Sequence, residues 1–377
     1  MDFEEHAAKP VLVAHGIAVP ASALAYSPEE AAEAAGRIGP CVVKAQVAAG
    51  KRGKAGGIKR AATAEEAGAH ARRILGMEIA GYRVEKVLVE AQVPIARELY
   101  AAVLNDPATR GPLVLFSTLG GMDVEEAAEQ DPNAMRRLPV DITAGLSLDT
   151  ARQALAGLDL AGIEAAVAET LVGLYAAYRA CDAELLEVNP LVATTGGRIL
   201  ALDCKLTLDE ASLPRQPSLA AQGAAAQLTG LEAEAKAEGL RYIELGGDVG
   251  VFANGAGLTM TTMDAITHYG GRPANFLEVG GEAYTKARVA LSILLKNPNV
   301  KSLLVNFCGA FARTDVMAAG VVEAWKELQP SIPIVFTIHG TGEDQAIDLV
   351  RRELGIEPFD LMDDAVKAAV VAAGARG

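Results

Sequence analysis

Apolar runs separated by helix-like stretches dominate the chain beyond residue 240. The runs lie at residues 250–255, 275–281, 302–309 and 334–340. Near-continuous apolar strands between helices are typical of a parallel sheet covered by helices on both faces. Ligands of such folds bind beyond the carboxyl ends of the strands. We place four polar residues at these ends: Asn254, Glu278, Asn306 and His339.

The first part of the chain is less regular. Short apolar strands at 41–45 and 87–91 flank a basic loop, and apolar residues at helical spacing predict an amphipathic helix over 161–180. The stretch 215–239 is polar and helix-prone, which indicates a linker or a bridging helix. The change in pattern predicts an α/β protein of two domains, which span residues 1–230 and 231–377.

Composition narrows the functional classes. The chain has 377 residues with a formal charge of −14 and a pI near 4.9, which argues against general binding of nucleic acid or anionic membranes. No apolar run reaches the ~18 residues of a membrane span, and the N-terminus lacks the features of a signal peptide. Four scattered cysteines disfavour zinc and redox motifs and fit a reducing compartment. We therefore expect a cytoplasmic enzyme, in which an anionic ligand would need a local basic site.

The loop at 50–57 is such a site. Its glycines let the backbone approach a phosphate closely, while Lys51, Arg52 and Lys54 neutralise charge. Lys44 lies just upstream and is within reach of nucleotide phosphates on this interpretation. The loop is not a Walker motif, since no Lys-Ser or Lys-Thr follows a G-x-x-x-x-G. A mobile basic surface turn accounts for the spacing equally well.

A second set of polar residues lies on two strands joined by a turn at 194–197. If the hairpin is centred on Gly196, Asn189 lies opposite Asp203, and the two-residue period of strands puts Glu187 on the same face. Two carboxylates and an amide oxygen are hard ligands that suit Mg²⁺ together with nucleotide phosphates. The alternative is a solvated polar face.

The segment 254–258 opens a predicted helix that ends near Gly270. A dinucleotide-binding G-x-G-x-x-G needs glycine at position 260, where the chain has Met260, so that fingerprint is absent. A phosphoryl group at the helix N-terminus and a plain βα turn are both compatible with the pattern. The five histidines form no metal-spaced pair.

Five motifs occur together in one order. They are Lys44-Ala45-Gln46-Val47, Arg52-Gly53-Lys54-Ala55-Gly56-Gly57, Glu187-Val188-Asn189-Pro190-Leu191-Val192, Asn254-Gly255-Ala256-Gly257-Leu258 and Gly271-Arg272-Pro273-Ala274-Asn275-Phe276-Leu277. In this combination the chain resembles the β subunit of succinyl-CoA synthetase. The similarity runs from the N-terminus to about Val371. Close relatives of this family include malate–CoA ligase and other acid–CoA ligases.

The resemblance implies an N-terminal ATP-grasp domain and a C-terminal flavodoxin-like domain. It also implies an ADP-forming acid–CoA ligase that uses Mg²⁺, ATP or GTP, and CoA, as in the tricarboxylic acid cycle. In this family the nucleotide phosphorylates a histidine of an α subunit, which also binds CoA, in a heterodimer or heterotetramer. Nothing in this chain resembles that histidine loop, so the chain is expected to be half of an enzyme. A nucleotide-binding regulatory subunit without turnover is the alternative, and a stand-alone ATP-grasp ligase joining an acid to an amine is a third.

The resemblance also assigns residues. Those expected to hold the nucleotide are Lys44, Lys51, Arg52, Gly53, Glu90, Val93 and Glu98. Asn189 and Asp203 would bind Mg²⁺, and Glu187 would lie beside the phosphoryl-transfer site. Those expected to face the acid are Asn254, Gly309, Ala310, Phe311, Ala312 and Arg313.

Two segments depart from the family pattern. The usual Gly-Gly-Ile-Val-Arg-Cys appears here as 309–314, where the methyl group of Ala310 and the phenyl ring of Phe311 would reshape the acid pocket. The acid is therefore succinate, malate or a related carboxylic acid, with Arg313 as its expected carboxylate partner. The segment 280–285 is one residue longer than usual and carries Glu282.

Overall fold

The structure is a computed structural model that describes residues 1–121, 135–224, 228–279 and 286–374. The chain divides into two compact units, Met1–Gln227 and Leu228–Gly377. The lengthened segment at 280–285 lies outside the described residues. Within the described ranges, no helix is long and apolar enough to cross a membrane.

The first unit begins with a small antiparallel sheet. Its strands are β1 (Ser22–Ala25), β2 (Cys41–Ala45), β3 (Ile58–Ala61) and β6 (Val87–Ala91), in the order β1-β6-β2-β3. A two-stranded hairpin, β4 (Glu78–Ile79) and β5 (Tyr82–Arg83), lies between them in the chain. Helices α2 (Pro28–Ile38) and α3 (Ala64–Ile74) bury their alanine-rich faces against the sheet. Each begins at a hydroxyl N-cap, Ser27 or Thr63, whose oxygen accepts from the N–H three residues later.

A larger antiparallel sheet completes the first unit. Its strands are β7 (Ile95–Asp106), β8 (Gly111–Ser117), β9 (Met135–Pro139), β10 (Ala183–Thr194), β11 (Ile199–Ala201) and β12 (Lys205–Leu208). The order is β11-β10-β7-β8-β9, and β12 also pairs with β10. The main core packs against it through helices α1 (Glu5–Ala14), α4 (Leu148–Leu155) and α5 (Glu164–Ala180). The helix predicted over 161–180 is confirmed as α5. A 3₁₀ turn at Glu210–Arg215 and the short α6 (Pro217–Ala220) follow.

The predicted hairpin is confirmed in its register. Leu191 pairs with Ala201 across β10 and β11, and Glu187 pairs with Lys205 across β10 and β12. Both pairs are symmetric about Gly196, as predicted. The positions between the two paired stretches that face each other in this register are Asn189 and Asp203.

The second unit is a five-stranded sheet between helices. Its strands are β13 (Arg241–Glu244), β14 (Val249–Asn254), β15 (Asn275–Val279), β16 (Ser302–Gly309) and β17 (Ile334–Gly340), in the order β13-β15-β14-β16-β17. Its helices are α7 (Gly230–Ala237), α8 (Ala256–His268), α9 (Ala287–Leu295), α10 (Thr314–Leu328), α11 (Glu343–Leu354) and α12 (Met362–Gly374). Neighbouring strand residues enter different cores, because Leu303 packs on one face and Leu304 on the other. This two-sided burial explains the continuous apolar runs.

Three details differ from the sequence-based expectation. The edge strand β13 is antiparallel to β15, so the sheet is mixed. Asn306 does not lie at a strand end: it is buried within β16, where its amide donates to Oγ1 of Thr262 at 2.9 Å. The stretch 215–239 contains α7, whose capping box joins Thr229 and Glu232, so part of it is an ordered element of the second unit.

Candidate functional site

A cavity of about 530 Å³ lies in the first unit beside the hairpin. The basic loop forms one wall, and β7, β10 and the segment after β11 form the other. The described charged residues that line it are four basic and three acidic ones: Lys51, Arg52, Lys54, Lys205, Asp2, Glu187 and Asp203. In a chain with a formal charge of −14, this balance provides a local basic site for an anionic ligand.

The hairpin supplies the polar wall of this cavity. Glu187, Asn189 and Asp203 all line it. The hydroxyl of Tyr100 on β7 donates to Oε2 of Glu187 at 3.3 Å. Burial, together with the Glu187 carboxylate, raises the pKa of Tyr100, so its phenol stays protonated and remains a donor. The N–H of Gly121 donates to Oδ1 of Asn189 at 2.8 Å. The polar side chains on this wall are therefore oriented by neighbouring groups.

Arg52 joins the basic loop to the hairpin. Its side chain is only 6% exposed, which rules out the mobile surface turn for this residue. The guanidinium donates to both carboxylate oxygens of Asp203, at 2.7 and 2.8 Å, and to the carbonyl of Ala45 at 2.9 Å. It also pairs with Glu5 at 2.8 Å. Such a bidentate pair fixes both partners in direction as well as in position.

A buried ionic cluster lies next to this pair. Lys44 Nζ contacts Glu5 at 2.9 Å and Glu90 at 2.6 Å, and it donates to the carbonyl of Leu202 at 2.6 Å. Lys9 contacts Glu5 at 2.6 Å and also pairs with Glu90. Together with Arg52 and Asp203, the cluster contains three cations and three carboxylates. Opposite charges in these numbers allow the groups to be buried as ions.

Titration behaviour follows from this pairing. Burial opposes the ionised form of Glu5, but Lys44, Lys9 and Arg52 outweigh it and hold the pKa of Glu5 well below its usual range. Burial likewise opposes the charged form of Lys44, yet Glu5, Glu90 and Asp203 raise the pKa of Lys44 above its ordinary value. Glu5 and Lys44 are therefore both charged at neutral pH. Glu5 and Lys9 were missed in the sequence, although they are four residues apart in a helix whose other inward positions are apolar.

The structure places the predicted nucleotide residues in three groups. Lys51, Arg52 and Gly53 line the cavity with the hairpin residues. Lys44 and Glu90 are in the buried ionic cluster rather than among the lining residues. The third group is Val93, in the connection between β6 and β7, and Glu98, near the start of β7.

Glu98 still lies close to the cavity wall. A Cβ built on Gly121 would be 1.9 Å from Oε2 of Glu98, and Gly121 has a φ of +75°. The positive φ favours glycine there, because a side chain would need a strained backbone and would also displace the carboxylate. Gly121 thus brings the Glu98 carboxylate beside the N–H that holds Asn189.

The oxygen ligands on the hairpin suit Mg²⁺ by their chemistry. Asn189 offers an amide oxygen and Asp203 a carboxylate, which are the hard ligands that this cation prefers. Each carboxylate oxygen can accept more than one contact, so Asp203 can bind a cation while Arg52 remains paired with it. In the described part of the chain, no three His, Cys, Asp or Glu side chains gather into a metal-binding cluster. A cation held here would take most of its ligands from phosphates and water.

The residues predicted to face the acid lie in the second unit. Asn254, at the end of β14, exchanges two hydrogen bonds with the backbone of Cys308 on β16, both of 2.9 Å. This brings Asn254 next to Gly309. The guanidinium of Arg313 pairs with Asp315 through two bonds of 3.0 Å. The predicted acid-binding residues therefore gather at the carboxyl edge of the sheet, and Arg313 is already paired with Asp315 in the first turn of α10.

Phe311 is the most unusual residue of this edge. Its side chain is as exposed as in an extended peptide, at 105%. The strand ends beside it approach closely, since a Cβ built on Gly340 would lie 1.9 Å from the carbonyl oxygen of Gly309. A fully exposed phenyl ring at this edge is available to contact a ligand or another protein.

Two family models match the chain. The ATP-grasp domain matches residues 2–193, and the CoA-ligase model matches residues 252–371. The chain is also 42% identical, over 98% of its own length and 98% of the relative, to the ADP-forming succinate–CoA ligase subunit beta of Rubrobacter xylanophilus. The GDP-forming subunit beta of Thermus thermophilus is 41% identical over 99% of both chains.

The chain belongs to the succinate–CoA ligase β-subunit family. The predicted fold class and the acid–CoA ligase class are thereby confirmed. Among solved structures, the ATP citrate lyase of Methanothrix soehngenii, in complex with citrate and coenzyme A, superposes with a TM-score of 0.67 at 24% identity. That likeness covers 98% of this chain and 99% of the other, and it supports the fold. Membership in this family implies nucleotide and CoA as substrates and an α subunit as partner.

Proposed function

We propose that this chain binds Mg-ATP or Mg-GTP in the 530 Å³ cavity and passes the phosphoryl group, through a histidine of an α subunit, to a carboxylic acid that then forms an acyl-CoA. One observation carries the proposal. The basic loop and the oxygen ligands of the hairpin line one cavity, and Arg52 joins them through Asp203.

The roles of the residues follow from the chemistry of phosphoryl transfer. That chemistry depends on positioning and on the stabilisation of spread negative charge. Lys51 and Lys54 supply positive charge at the mouth of the loop, and Gly53 permits close approach of the backbone. Asn189 and Asp203 would hold Mg²⁺, which would supply positive charge to neutralise the phosphates. Glu187, fixed by Tyr100, would lie beside the transferred group.

The cysteines support a reducing, cytoplasmic location. Cys41, Cys181 and Cys204 are buried and Cys308 is exposed, and all four are free thiols. Exposed free thiols persist in reducing compartments.

Transfer of label tests the proposal directly. The chain would be mixed with its α subunit, Mg²⁺ and γ-labelled ATP or GTP, without acid or CoA. We expect label on a histidine of the α subunit, and addition of unlabelled ADP or GDP should remove it by the reverse reaction. The amounts of label transferred from ATP and from GTP show which nucleotide the enzyme prefers. A stable αβ complex that gives no labelled histidine with either nucleotide would favour the regulatory, non-catalytic subunit instead.

We further propose that Phe311 helps to select the acid. Its ring stands at the edge where Asn254 and Gly309 meet, and its full exposure leaves it free to cover a bound acid. We expect Phe311→Ile to change the KM ratio between succinate and malate by about tenfold, since one apolar contact alters discrimination by about 1–3 kcal/mol. The measurement is steady-state kinetics of the αβ complex with a panel of dicarboxylic acids.

Phe359→Ile serves as the matched control for Phe311→Ile, because Phe359 is partly exposed elsewhere in the second unit. It should leave the acid preference unchanged. An unchanged KM ratio in Phe311→Ile would remove this ring from the specificity of the enzyme.

A further inference from the structure

A second cavity lies in the first unit, away from the nucleotide cavity. Its volume is about 380 Å³, and Asn105 of β7 and Ala183 of β10 line it. The same two strands carry Tyr100 and Glu187 to the nucleotide cavity. At about 3.4 Å per residue, separations of four positions on β10 and five on β7 place the two cavities roughly 13–17 Å apart. The second cavity is therefore a distinct place on the same sheet.

A buried hydroxyl in this wall has no partner. Tyr175 of α5 lines the cavity and is only 4% exposed. Its hydroxyl oxygen is buried and makes no hydrogen bond within the described part of the chain. Buried hydroxyl groups are nearly always hydrogen-bonded, so this oxygen has bonding capacity for a bound group.

Two arginines line the same cavity. Arg110, in the turn between β7 and β8, and Arg179, at the end of α5, are both exposed. Neither guanidinium has an ion pair or hydrogen bond to any other described residue. A Cβ built on Gly145 would lie 3.7 Å from Cε1 of Tyr175 and 3.9 Å from Nη1 of Arg179. The Arg179 guanidinium and the hydroxyl-bearing edge of the tyrosine ring therefore border the same space beside Gly145.

The acidic residues of the cavity do not cancel this charge. Asp182 is paired with Arg215 at 3.0 Å and accepts from Gln216 at 2.9 Å. Asp209 caps the following 3₁₀ turn, where its Oδ1 accepts from the N–H of Ala211 at 2.9 Å. Asp182 is thus balanced by Arg215, and the two cavity arginines outnumber Asp209, the remaining carboxylate.

We propose that this cavity binds a small organic anion, whose carboxylate or phosphate oxygens accept hydrogen bonds from Arg110, Arg179 and the Tyr175 hydroxyl. The apolar part of the ligand would lie against Tyr178 and Ile142, which also line the cavity. Guanidinium groups suit both acid groups, because their planar N–H donors match carboxylate and phosphate oxygens. This site goes beyond the proposed function and does not depend on it.

Calorimetric titration of the full chain tests the site with three probes. Phenyl phosphate and phenylacetate carry the two acid groups on the same ring, and benzyl alcohol is the neutral analogue. We expect at least one anion to bind and the alcohol to give no heat. The stronger of the two anions identifies the acid group that the cavity prefers.

Matched variants place the binding in this cavity. Arg179→Gln should lower the affinity for the anion by about tenfold or more, and Tyr175→Phe should lower it several-fold. Arg198→Gln, an exposed arginine in the hairpin turn, should leave the affinity unchanged. Without ligand, Tyr175→Phe should unfold at an equal or higher temperature than the wild type, because it removes an unpaired buried hydroxyl. Absence of binding by both anions, or equal binding in Arg179→Gln and the wild type, would overturn the proposal.

Discussion

Asp203→Ala is expected to lower phosphoryl transfer from nucleotide to the α-subunit histidine by about 10²–10³-fold, the usual effect of removing one preorganised charge-stabilising group. Two losses combine in this variant. One carboxylate is lost from the expected Mg²⁺ site, and Arg52 loses the partner that it holds at 2.7 and 2.8 Å. The measurement is the rate of histidine labelling in a single turnover.

Asp203→Asn separates the two losses. The amide keeps the shape of the side chain and one acceptor oxygen, but it removes the charge that attracts a divalent cation. We expect labelling by Asp203→Asn to recover partly as Mg²⁺ is raised, because weaker cation binding is overcome by mass action. Asp149→Ala, at an exposed position of α4, should behave as the wild type. If the Mg²⁺ dependence of Asp203→Asn matched the wild type, Asp203 would act only by positioning Arg52.

The hairpin shows how far local sequence determined this site. A glycine turn and the two-residue period of strands are enough to place Asn189 opposite Asp203, and the register symmetric about Gly196 confirms that pairing. The prediction worked because strand register depends on the turn and on the alternation of buried side chains. No contact from elsewhere in the chain was needed to derive it.

The partners of the basic loop depend on long-range packing. Arg52 has the composition of a solvated loop residue, yet it is buried because Glu5, from the start of the chain, and Asp203, 151 positions later, meet it in the fold. The prediction that Asn306 lies at a strand end was wrong for a related reason. An apolar run does not show where along the strand the packing helix ends. Here α8 packs over Asn306, and its Thr262 accepts a hydrogen bond from the Asn306 amide.

The signal for the ionic cluster was nevertheless present in α1. Glu5, Ala8, Lys9 and Leu12 share one helical face, and all four are buried. Two opposite charges four residues apart within an apolar stripe indicate groups that require partners inside the protein. The sequence does not identify those partners, since Lys44, Arg52 and Glu90 come from separate elements.

Glu5→Gln is expected to be the most destabilising single substitution in this cluster, by about 3–5 kcal/mol, the usual effect of breaking a buried ion pair by removing one partner. The reason is that Glu5 contacts three cations, Lys9, Lys44 and Arg52, at 2.6–2.9 Å. Their charges would then be only partly balanced by Glu90 and Asp203. The measurement is urea unfolding followed by far-UV circular dichroism, with fluorescence of Trp325, the one tryptophan, as a reporter for the second unit.

Acid pH should reduce the difference in unfolding free energy between Glu5→Gln and the wild type. The pKa of Glu5 is lowered in the folded state, so its contribution to stability is complete above the ordinary glutamate value of about 4.3 and is lost as the pH falls toward the lowered pKa. The glutamine variant does not titrate, and the two unfolding free energies should therefore converge below about pH 4. Glu33→Gln, in an exposed ion pair with Arg37, should show neither the large loss nor the convergence. A Glu5→Gln midpoint equal to that of Glu33→Gln at neutral pH would mean that the buried cations find other partners.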